Sequence, residues 1–319
     1  MKIALSTCWN AGRHHGGRAM VREILRMGFS GIEINHTVDR RELREIGRMQ
    51  RDGEVTVASL HNICPIPRGF DKKNCFEPYA LSAVSPTERS KAVACAKETI
   101  DWAEKLGAKA VVLHLDGSKA DFQSKKLVGL FSCGEGASRS FHVLRREIVG
   151  GRKKMACAKF DSVMSSLEEL ARHAKKMNVQ LGIENPFYYE QMPGADELKR
   201  IFEHFSPQTN VGYWHDVGHA QVLDNLGLCS HRFLLETFSN RLIGFHLHDL
   251  FMVYDHKPPG LGEFDFSRVA GYFSPHRLMV MEVNGMASPK EICLGKRFLE
   301  GLVCASQGSL GRKLTSDSP

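Results

Sequence analysis

The fold of this 319-residue chain is decided by six stretches that share one character: VTVASLH (55–61), AVVLH (110–114), LGIE (181–184), VGYWHD (211–216), IGFH (243–246) and LMVMEV (278–283). Each stretch is short and apolar, and segments of helical length separate them. Apolar runs of this kind, alternating with helical segments, predict βα units and a parallel sheet. Two further runs, at 3–6 and 31–35, bring the predicted strands to eight.

Eight strands alternating with helices fit one closed barrel, which usually needs about 250 residues plus insertions. An open doubly wound sheet is the competing architecture, and it would place ligands at a single switch point. The chain has no Gly-x-Gly-x-x-Gly turn after its first strand, which counts against a dinucleotide-binding half. We therefore predict one α/β domain, a (β/α)8 TIM barrel, over residues 1–305.

Two segments fall outside the barrel pattern. Residues 116–155 are rich in Gly, Ser and basic side chains, and we predict a long basic loop insertion there. A solvated flap is favoured over a clamp for phosphate or nucleic acid. Residues 306–319 are polar and rich in Gly and Ser, which predicts a flexible C-terminal tail.

Composition narrows the class of protein without naming a ligand. The net charge is +7, from 43 basic and 36 acidic residues, so anionic ligands such as sugar phosphates or nucleic acid are modestly favoured. Nine cysteines without a Cys-x-x-Cys pair argue against zinc fingers and disulfides, and for a reducing, cytoplasmic setting. No apolar run is long enough to span a membrane, so no membrane partner is expected.

Acid or imidazole side chains stand at the ends of the six stretches. They are His61, His114, Glu184, Asp216, His246 and Glu282. Each residue alone has a structural explanation, but in a parallel barrel all strand ends converge on one mouth. Mixed carboxylate and imidazole ligands there predict a divalent metal, with Mn²⁺, Zn²⁺, Co²⁺, Fe²⁺ and Mg²⁺ as the options.

Several motifs carry a resemblance to a known family. They are SLHNICP (59–65), VVLHLD (111–116), LGIENP (181–186), HDVGHA (215–220), GFHLHD (244–249), DHKPPGLGEFDF (255–266) and MEVNG (281–285). In these motifs the chain resembles the xylose isomerase-like TIM barrel superfamily. That superfamily includes sugar isomerases and epimerases, inosose dehydratases, and abasic-site nucleases of the endonuclease IV type.

The resemblance implies that one metal is held by Glu184, Asp216, His246 and Glu282. It also implies that the two glutamates act as an acid/base pair, and that His219 contacts a substrate oxygen during catalysis. The expected activity is that of a metal-dependent sugar or sugar-phosphate isomerase or epimerase. Such an enzyme moves a proton through a metal-stabilised enediolate.

The nuclease branch binds additional zinc at positions that correspond to His61 and His114. It has an Asp-x-His pair where this chain has Asp255, His256 and Lys257, and a protonated lysine is a poor metal ligand. His256 would replace the missing histidine only after a shift of one residue. We therefore expect pocket walls that contact substrate from His61, His114, Glu33, Trp9, His256 and Lys257, with core packing an equal option for Trp9 and Trp214.

Four functions remain open after the sequence has been read. The sugar isomerase or epimerase is preferred over an inosose-type dehydratase and over an abasic-site nuclease, so nucleic acid is not the expected partner. A barrel that only binds a partner is the fourth option, but Glu184 and Glu282 are both intact, which argues against it. The sequence leaves the oligomeric state open, with a homo-oligomer among the options.

Overall fold

The computed structural model describes residues 2–117 and 122–315. Its strands are β1 (Ile3–Ser6), β2 (Gly31–Ile34), β3 (Thr56–His61), β4 (Ala110–Leu113), β5 (Gln180–Glu184), β6 (Val211–Asp216), β7 (Leu242–Leu247), β8 (Asp249–Phe251), β9 (Tyr254–Lys257) and β10 (Leu278–Met281). Eight of them form a closed parallel barrel in the order β1-β10-β7-β6-β5-β4-β3-β2, and β8 and β9 form a separate antiparallel hairpin. The predicted (β/α)8 barrel is thus confirmed.

The helices are α1 (Gly17–Arg26), α2 (Arg40–Arg51), α3 (Pro86–Lys105), α4 (Ser124–Ser132), α5 (Arg139–Lys176), α6 (Ala195–His204), α7 (Val217–Asn225), α8 (His231–Phe238), α9 (Ser267–Ala270) and α10 (Pro289–Thr315). Local sequence explains where several of them begin. The Asp39 carboxylate caps α2 and forms a capping box with Glu42, and the Ser85 hydroxyl accepts from the backbone N–H of Glu88 in α3. No helix in the described part of the chain has the length and apolarity that crossing a membrane requires.

The prediction of a long loop at 116–155 was wrong, because most of this segment is helical. It contains α4 and the first part of α5, which begins where the Ser138 hydroxyl accepts from the backbone N–H of Phe141 at 3.1 Å. The side chains of Phe141 and Ile148 are buried along α5, most of the basic residues lie on its other faces, and the buried Arg152 pairs with Glu197. Gly and Ser lowered the expected helicity, but packing of this apolar stripe outweighs their low propensity.

The C-terminal segment also differs in extent from the sequence expectation. Helix α10 continues to Thr315, into the segment 306–319 that was predicted to be a flexible tail. Residues 316–319 lie outside the described part, and the mobility of the tail stays a prediction.

Trp9 and Trp214, for which packing in the core was an equal option, both lie in the core. Trp214 fills the barrel interior beneath His246, with ring centroids 5.2 Å apart, and Gly244 leaves room for it, since a Cβ there would lie 2.3 Å from the indole. Trp9 is 1% exposed and donates its indole N–H to the carbonyl of Ala287 at 2.8 Å. Trp9 does not line the cavity at the barrel mouth, so its expected contact with substrate is not met.

Candidate metal centre and active site

Four side chains converge at the carboxyl end of the barrel, and we call Glu184, Asp216, His246 and Glu282 the barrel cluster. One ligand atom from each lies within 4.8 Å of all the others. The Nδ1 atom of His246 is 3.0 Å from Glu184 Oε1, 3.0 Å from Glu282 Oε2 and 3.6 Å from Asp216 Oδ2. The parallel register of β5, β6, β7 and β10 produces this convergence, because each residue stands at the end of its strand or one residue from it.

Orphaned buried atoms show that a cation fits this region. His114 Nε2 and Glu184 Oε2 lie 2.9 Å apart, yet neither has a hydrogen-bond partner of acceptable geometry among the described residues. Buried polar atoms are rarely left without a partner. A nitrogen and an oxygen that face each other in this way form a donor set that suits zinc and related divalent ions.

His61 adds to the same side of the site. Its Nε2 lies 3.5 Å from Glu184 Oε2, and its Nδ1 lies 3.0 Å from the carbonyl oxygen of Asn62. Because a carbonyl can only accept, Nδ1 carries the proton and Nε2 presents a lone pair. His61, His114 and Glu184 therefore form a second set of ligand atoms within 4.8 Å of one another.

Glu33 lies behind the barrel cluster and does not line the cavity. The expectation that Glu33 contacts substrate is therefore corrected. Both of its carboxylate oxygens lie 3.1 Å from Nε2 of His246, and Oε2 accepts from the Ser59 hydroxyl at 2.8 Å. The side chain is fully buried. Glu33 thereby holds the proton on Nε2 and leaves Nδ1 of His246 free to ligate, as carboxylate–histidine pairs do behind metals.

His248 does the same for Asp216, and sequence reasoning missed it. Its Nδ1 accepts the backbone N–H of His256 at 2.9 Å, so its Nε2 carries the proton that it donates to both Asp216 oxygens at 3.0 Å. Gly218 provides the space, since a Cβ there would lie 2.0 Å from His248 Cε1. The signal was present, because residues two apart on a strand share a face and His246 already pointed inward.

A third set of potential ligands gathers at the β8–β9 hairpin, and we call His219, His248, Asp255 and His256 the hairpin cluster. His256 has a left-handed φ of 56°, and its Nδ1 lies 3.1 Å from Asp255 Oδ1. His219 Nε2 lies 3.7 Å from Asp255 Oδ2. The left-handed backbone of His256 takes the place of the one-residue shift considered above, and the His256 side chain lines the cavity. Nε2 of His248 donates its proton to Asp216, so this side chain is not available to bind a cation. The hairpin cluster therefore offers ligand atoms from His219, Asp255 and His256.

Lys257 does not enter the cavity that His256 lines, so its expected role in binding substrate is not met. Its charge contributes to the lowered pKa of Glu291, behind the larger effect of hydrogen bonds from Ser288. Glu291 belongs to α10, and Lys257 thus serves the outer side of the hairpin.

The cavity above the clusters has a volume of about 520 Å³. His61, His114 and His219 line it together with Glu184 and Glu282, and their contact with substrate stays a prediction. Residues that the sequence did not single out complete the walls, namely His36, Phe76, Glu77, Phe187, Tyr188, Met192 and Asn284. These residues lie in loops, where the sequence has no periodic hydrophobic pattern from which their positions could be predicted. The Glu77 carboxylate forms a short ion pair with Nδ1 of His114 and fixes that ring.

Electrostatics keep the barrel carboxylates ionised. Burial alone would raise the pKa of Glu184, but His246 and His114 hold it well below its ordinary value. The pKa of Asp216 is likewise held well below its usual range, because the adjacent His219 and His248 outweigh burial. Ionised carboxylates in a buried setting are ready to ligate a cation or to accept a proton.

The histidines divide according to their neighbours. Burial would lower the pKa of His256, but Asp255 raises it to about 10. The pKa of His36 falls to about 3, because burial is reinforced by the nearby His61. His36 is therefore a neutral part of the cavity wall, whereas His256 is charged when no cation replaces its proton.

Comparison with known proteins places this geometry in context. The model of the family described as xylose isomerase-like TIM barrel matches residues 21–274. A relative from Sinorhizobium fredii (strain NBRC 101917 / NGR234), the uncharacterized protein y4fM, is 26% identical over 219 residues. That match covers 68% of this chain and 58% of the relative, so the chain spans less than two thirds of the relative's length.

Solved structures share the fold over nearly the whole chain. An L-ribulose 3-epimerase superposes with a TM-score of 0.68 at 14% identity and covers 100% of both chains. The IolI protein with a bound zinc atom gives a TM-score of 0.64 at 12% identity, covering 96% of this chain and 99% of its own. The family match spans most of the sequence and all the strands from β2 to β7. The chain therefore belongs to the xylose isomerase-like TIM barrel family.

Proposed function

We propose that this protein is a metal-dependent sugar isomerase or epimerase that works by proton transfer. The observation that carries the proposal is the placement of Glu184 and Glu282, each 3.0 Å from the same nitrogen of His246 and both lining the cavity. Epimerase activity is what the name of one solved neighbour states, and another neighbour is described with bound zinc. Both observations support an enzyme of this kind.

The barrel cluster is the site that would hold the principal ion. A divalent ion there would polarise a substrate carbonyl and the adjacent hydroxyl, which acidifies the C–H between them. Glu184 ends β5 and Glu282 follows β10, and β6 and β7 lie between these two strands in the barrel, so the two carboxylates reach the cavity from different strands. One carboxylate removes the proton, and the other returns a proton to the opposite face or to the neighbouring carbon.

His219 is positioned to assist this transfer. Its Nδ1 lies 3.6 Å from Glu184 Oε1 and 3.2 Å from the carbonyl of Asn185, while Nε2 faces Asp255 across the cavity. The Nδ1–H donates to the Asn185 carbonyl, so Nε2 is the atom available to a substrate oxygen. His61 and His114 stand on the Glu184 side as polar walls.

The test is solvent exchange with a panel of ketohexoses. Protein loaded with Mn²⁺, Co²⁺ or Zn²⁺ is incubated with each ketose in D2O, and NMR follows deuterium at the carbon next to the carbonyl. Proton transfer through a carboxylate places solvent deuterium there. Fast turnover without deuterium would indicate hydride migration and would contradict the two-glutamate mechanism.

A second function, cleavage of abasic nucleic acid, is favoured by one specific observation. His256 enters the cavity beside Asp255, so three ligand sets are present even though Lys257 replaces the histidine of the nuclease pattern. Elemental analysis of protein purified without chelator separates the two functions. About one tightly held ion supports the sugar enzyme, whereas about three zinc ions with efficient nicking of abasic plasmid DNA would support the nuclease.

A further inference from the structure

The walls of the cavity differ sharply between its floor and its rim. The polar lining, which we call the floor, includes Glu184 and Glu282 of the barrel cluster with His61, His114 and His219. The apolar lining, which we call the rim, is formed by Phe76, Phe187, Tyr188 and Met192. Phe76 is 46% exposed, although its ring lies 5.0 Å from that of His36. A large apolar side chain left exposed at a cavity mouth indicates contact with an apolar group.

The apolar rim is continuous with the reactive end. The ring of Phe187 lies 5.6 Å from that of His219, edge to face, and 4.9 Å from that of Tyr188. His219 therefore separates the metal ligands from the aromatic wall by one ring. A substrate whose polar end reaches Glu184 has room to place its other end against Phe187, which lines the same cavity as Phe76.

The charge of the cavity argues against a phosphate on that other end. Its lining includes the carboxylates of Glu77, Asp116, Glu184, Asp255 and Glu282, and no lysine or arginine lines it within residues 2–117 and 122–315. Lys159 is committed to Asp116, at 2.7 Å and 3.0 Å from its two oxygens. The described lining therefore offers a phosphate dianion no guanidinium or ammonium group to pair with.

The volume of the cavity indicates a substrate larger than a single monosaccharide. At about 520 Å³ it falls within the ~300–1,000 Å³ of pockets that enclose drug-sized ligands. A single monosaccharide leaves a large part of such a space empty. The unfilled part lies against the aromatic rim, and contact between water and apolar rings is unfavourable.

We infer that the substrate is an unphosphorylated sugar that carries an apolar, ring-shaped substituent at the end remote from the reacting carbonyl. This inference rests on the proposed function for the identity of the reacting end. It assigns the aromatic rim as the site of the substituent, and it assigns Phe76 and Phe187 as residues that determine specificity.

Three ketoses with the same reacting centre test the inference: 6-O-benzyl-D-fructose, 6-O-methyl-D-fructose and D-fructose 6-phosphate. The measurement is kcat/KM for deuterium incorporation at C3 by the Mn²⁺-loaded protein. An aromatic contact of this kind contributes roughly 1.4 kcal/mol, so the benzyl ether is expected to be favoured over the methyl ether by about 10-fold. The phosphate is expected to be the poorest of the three. Equal rates for the two ethers, or preference for the phosphate, would overturn the inference.

Variants locate the preference on the rim. Phe76→Ala is expected to reduce the benzyl preference to about 3-fold or less, since it removes the exposed ring. Phe233→Ala is the matched control, because Phe233 is 51% exposed on α8 and does not line the cavity. A benzyl preference that Phe76→Ala leaves unchanged would contradict the assignment of this residue.

A binding measurement keeps the inference separate from the reaction. Saturation-transfer NMR compares phenyl β-D-glucoside, methyl β-D-glucoside and glucose 6-phosphate with the Mg²⁺-loaded protein, and needs no turnover. Selective binding of the phenyl glucoside without exchange of any ketose would sustain the substrate class and refute the proposed reaction. Absence of any preference for the phenyl group would refute the substrate class, whatever the outcome of the exchange assay.

Discussion

The barrel cluster and the hairpin cluster use the same chemical groups but are built differently. The ligands of the barrel cluster stand on strand ends and are 5% exposed or less. Two of them have buried partners behind them, Glu33 for His246 and His248 for Asp216. In the hairpin cluster, the side chain of His256 is 27% exposed and that of Asp255 is 18% exposed. The hairpin contains two left-handed residues, Met252 and His256, with φ of 57° and 56°.

This difference separates rigidity from adaptability within one site. Ligands on barrel strands with hydrogen-bonded partners are held near their working geometry before any ion binds. Asp255 and His256 stand on a short hairpin and are partly exposed, so packing restrains their side chains less. The barrel cluster is therefore suited to retain an ion permanently. The hairpin cluster is suited to contact substrate and product as they enter and leave the cavity.

The strongest test of the comparison removes the central ligand of the barrel cluster. His246→Ala is expected to abolish retention of the metal, because Nδ1 is the atom that Glu184 and Glu282 both face at 3.0 Å. Elemental analysis after gel filtration measures it. His276→Ala, at an exposed histidine, is the control.

Circular dichroism distinguishes loss of metal from loss of the fold in that experiment. Asp216→Asn is a second variant of unchanged shape, should the alanine leave too many buried carboxylates without a partner. Full metal occupancy in a folded His246→Ala protein would show that the ion binds elsewhere, and the contrast between the clusters would collapse.

The next largest effect concerns the acid/base pair. Glu282→Gln keeps the size of the side chain but removes the carboxylate that accepts a proton, so solvent deuterium exchange is expected to fall by about 10²–10⁴-fold. Binding of the ketose is expected to change far less. Because Glu282 belongs to the barrel cluster, metal content is measured on the same sample. A loss of exchange that merely tracks loss of metal would remove Glu282 from the proton transfer.

The contrast between the clusters also explains what the sequence could predict. Glu184, Asp216, His246 and Glu282 were predictable because strand periodicity and the barrel topology fix where strand ends meet. His256 was expected at the pocket wall and lines the cavity, but the left-handed φ of this residue is rare for a non-glycine residue and was not predicted.

Other parts of the site show the same limit of sequence reasoning. Glu33 was predicted to reach the mouth, but whether a strand-end carboxylate meets substrate or a neighbouring ligand depends on packing in three dimensions. The cavity walls at Phe76 and Glu77 lie in a loop without periodicity. The helical segment 139–155 was missed because its glycines and charged residues concealed a sparse apolar stripe.

A smaller effect is expected from the support behind His246. Glu33→Gln removes the charge that fixes the Nε2 proton, and loss of such a partner typically weakens metal affinity by about 10–100-fold. Competition with a fluorescent chelator measures this affinity. Glu104→Gln, on the exposed face of α3, is the matched control. Unchanged affinity in Glu33→Gln would mean that the strands alone orient His246, and the rigidity ascribed to the barrel cluster would need no buried partner.

The smallest effect belongs to the hairpin cluster and appears only in the metal-free protein. Asp255 raises the pKa of His256 from its ordinary 6.5 to about 10. A group whose pKa is raised by folding stabilises the folded state fully below the unfolded value, and this stabilisation is lost as pH rises through the folded value. The Tm difference between wild type and His256→Ala is therefore expected to be largest below about pH 6.5 and to shrink up to about pH 10. His276→Ala supplies the baseline, because its exposed ring has no such carboxylate partner among the ion pairs of the described residues. A Tm difference that is constant over this range would show that Asp255 and His256 do not form a charged pair. In that case this pair would not hold the hairpin at the cavity when no ion is bound.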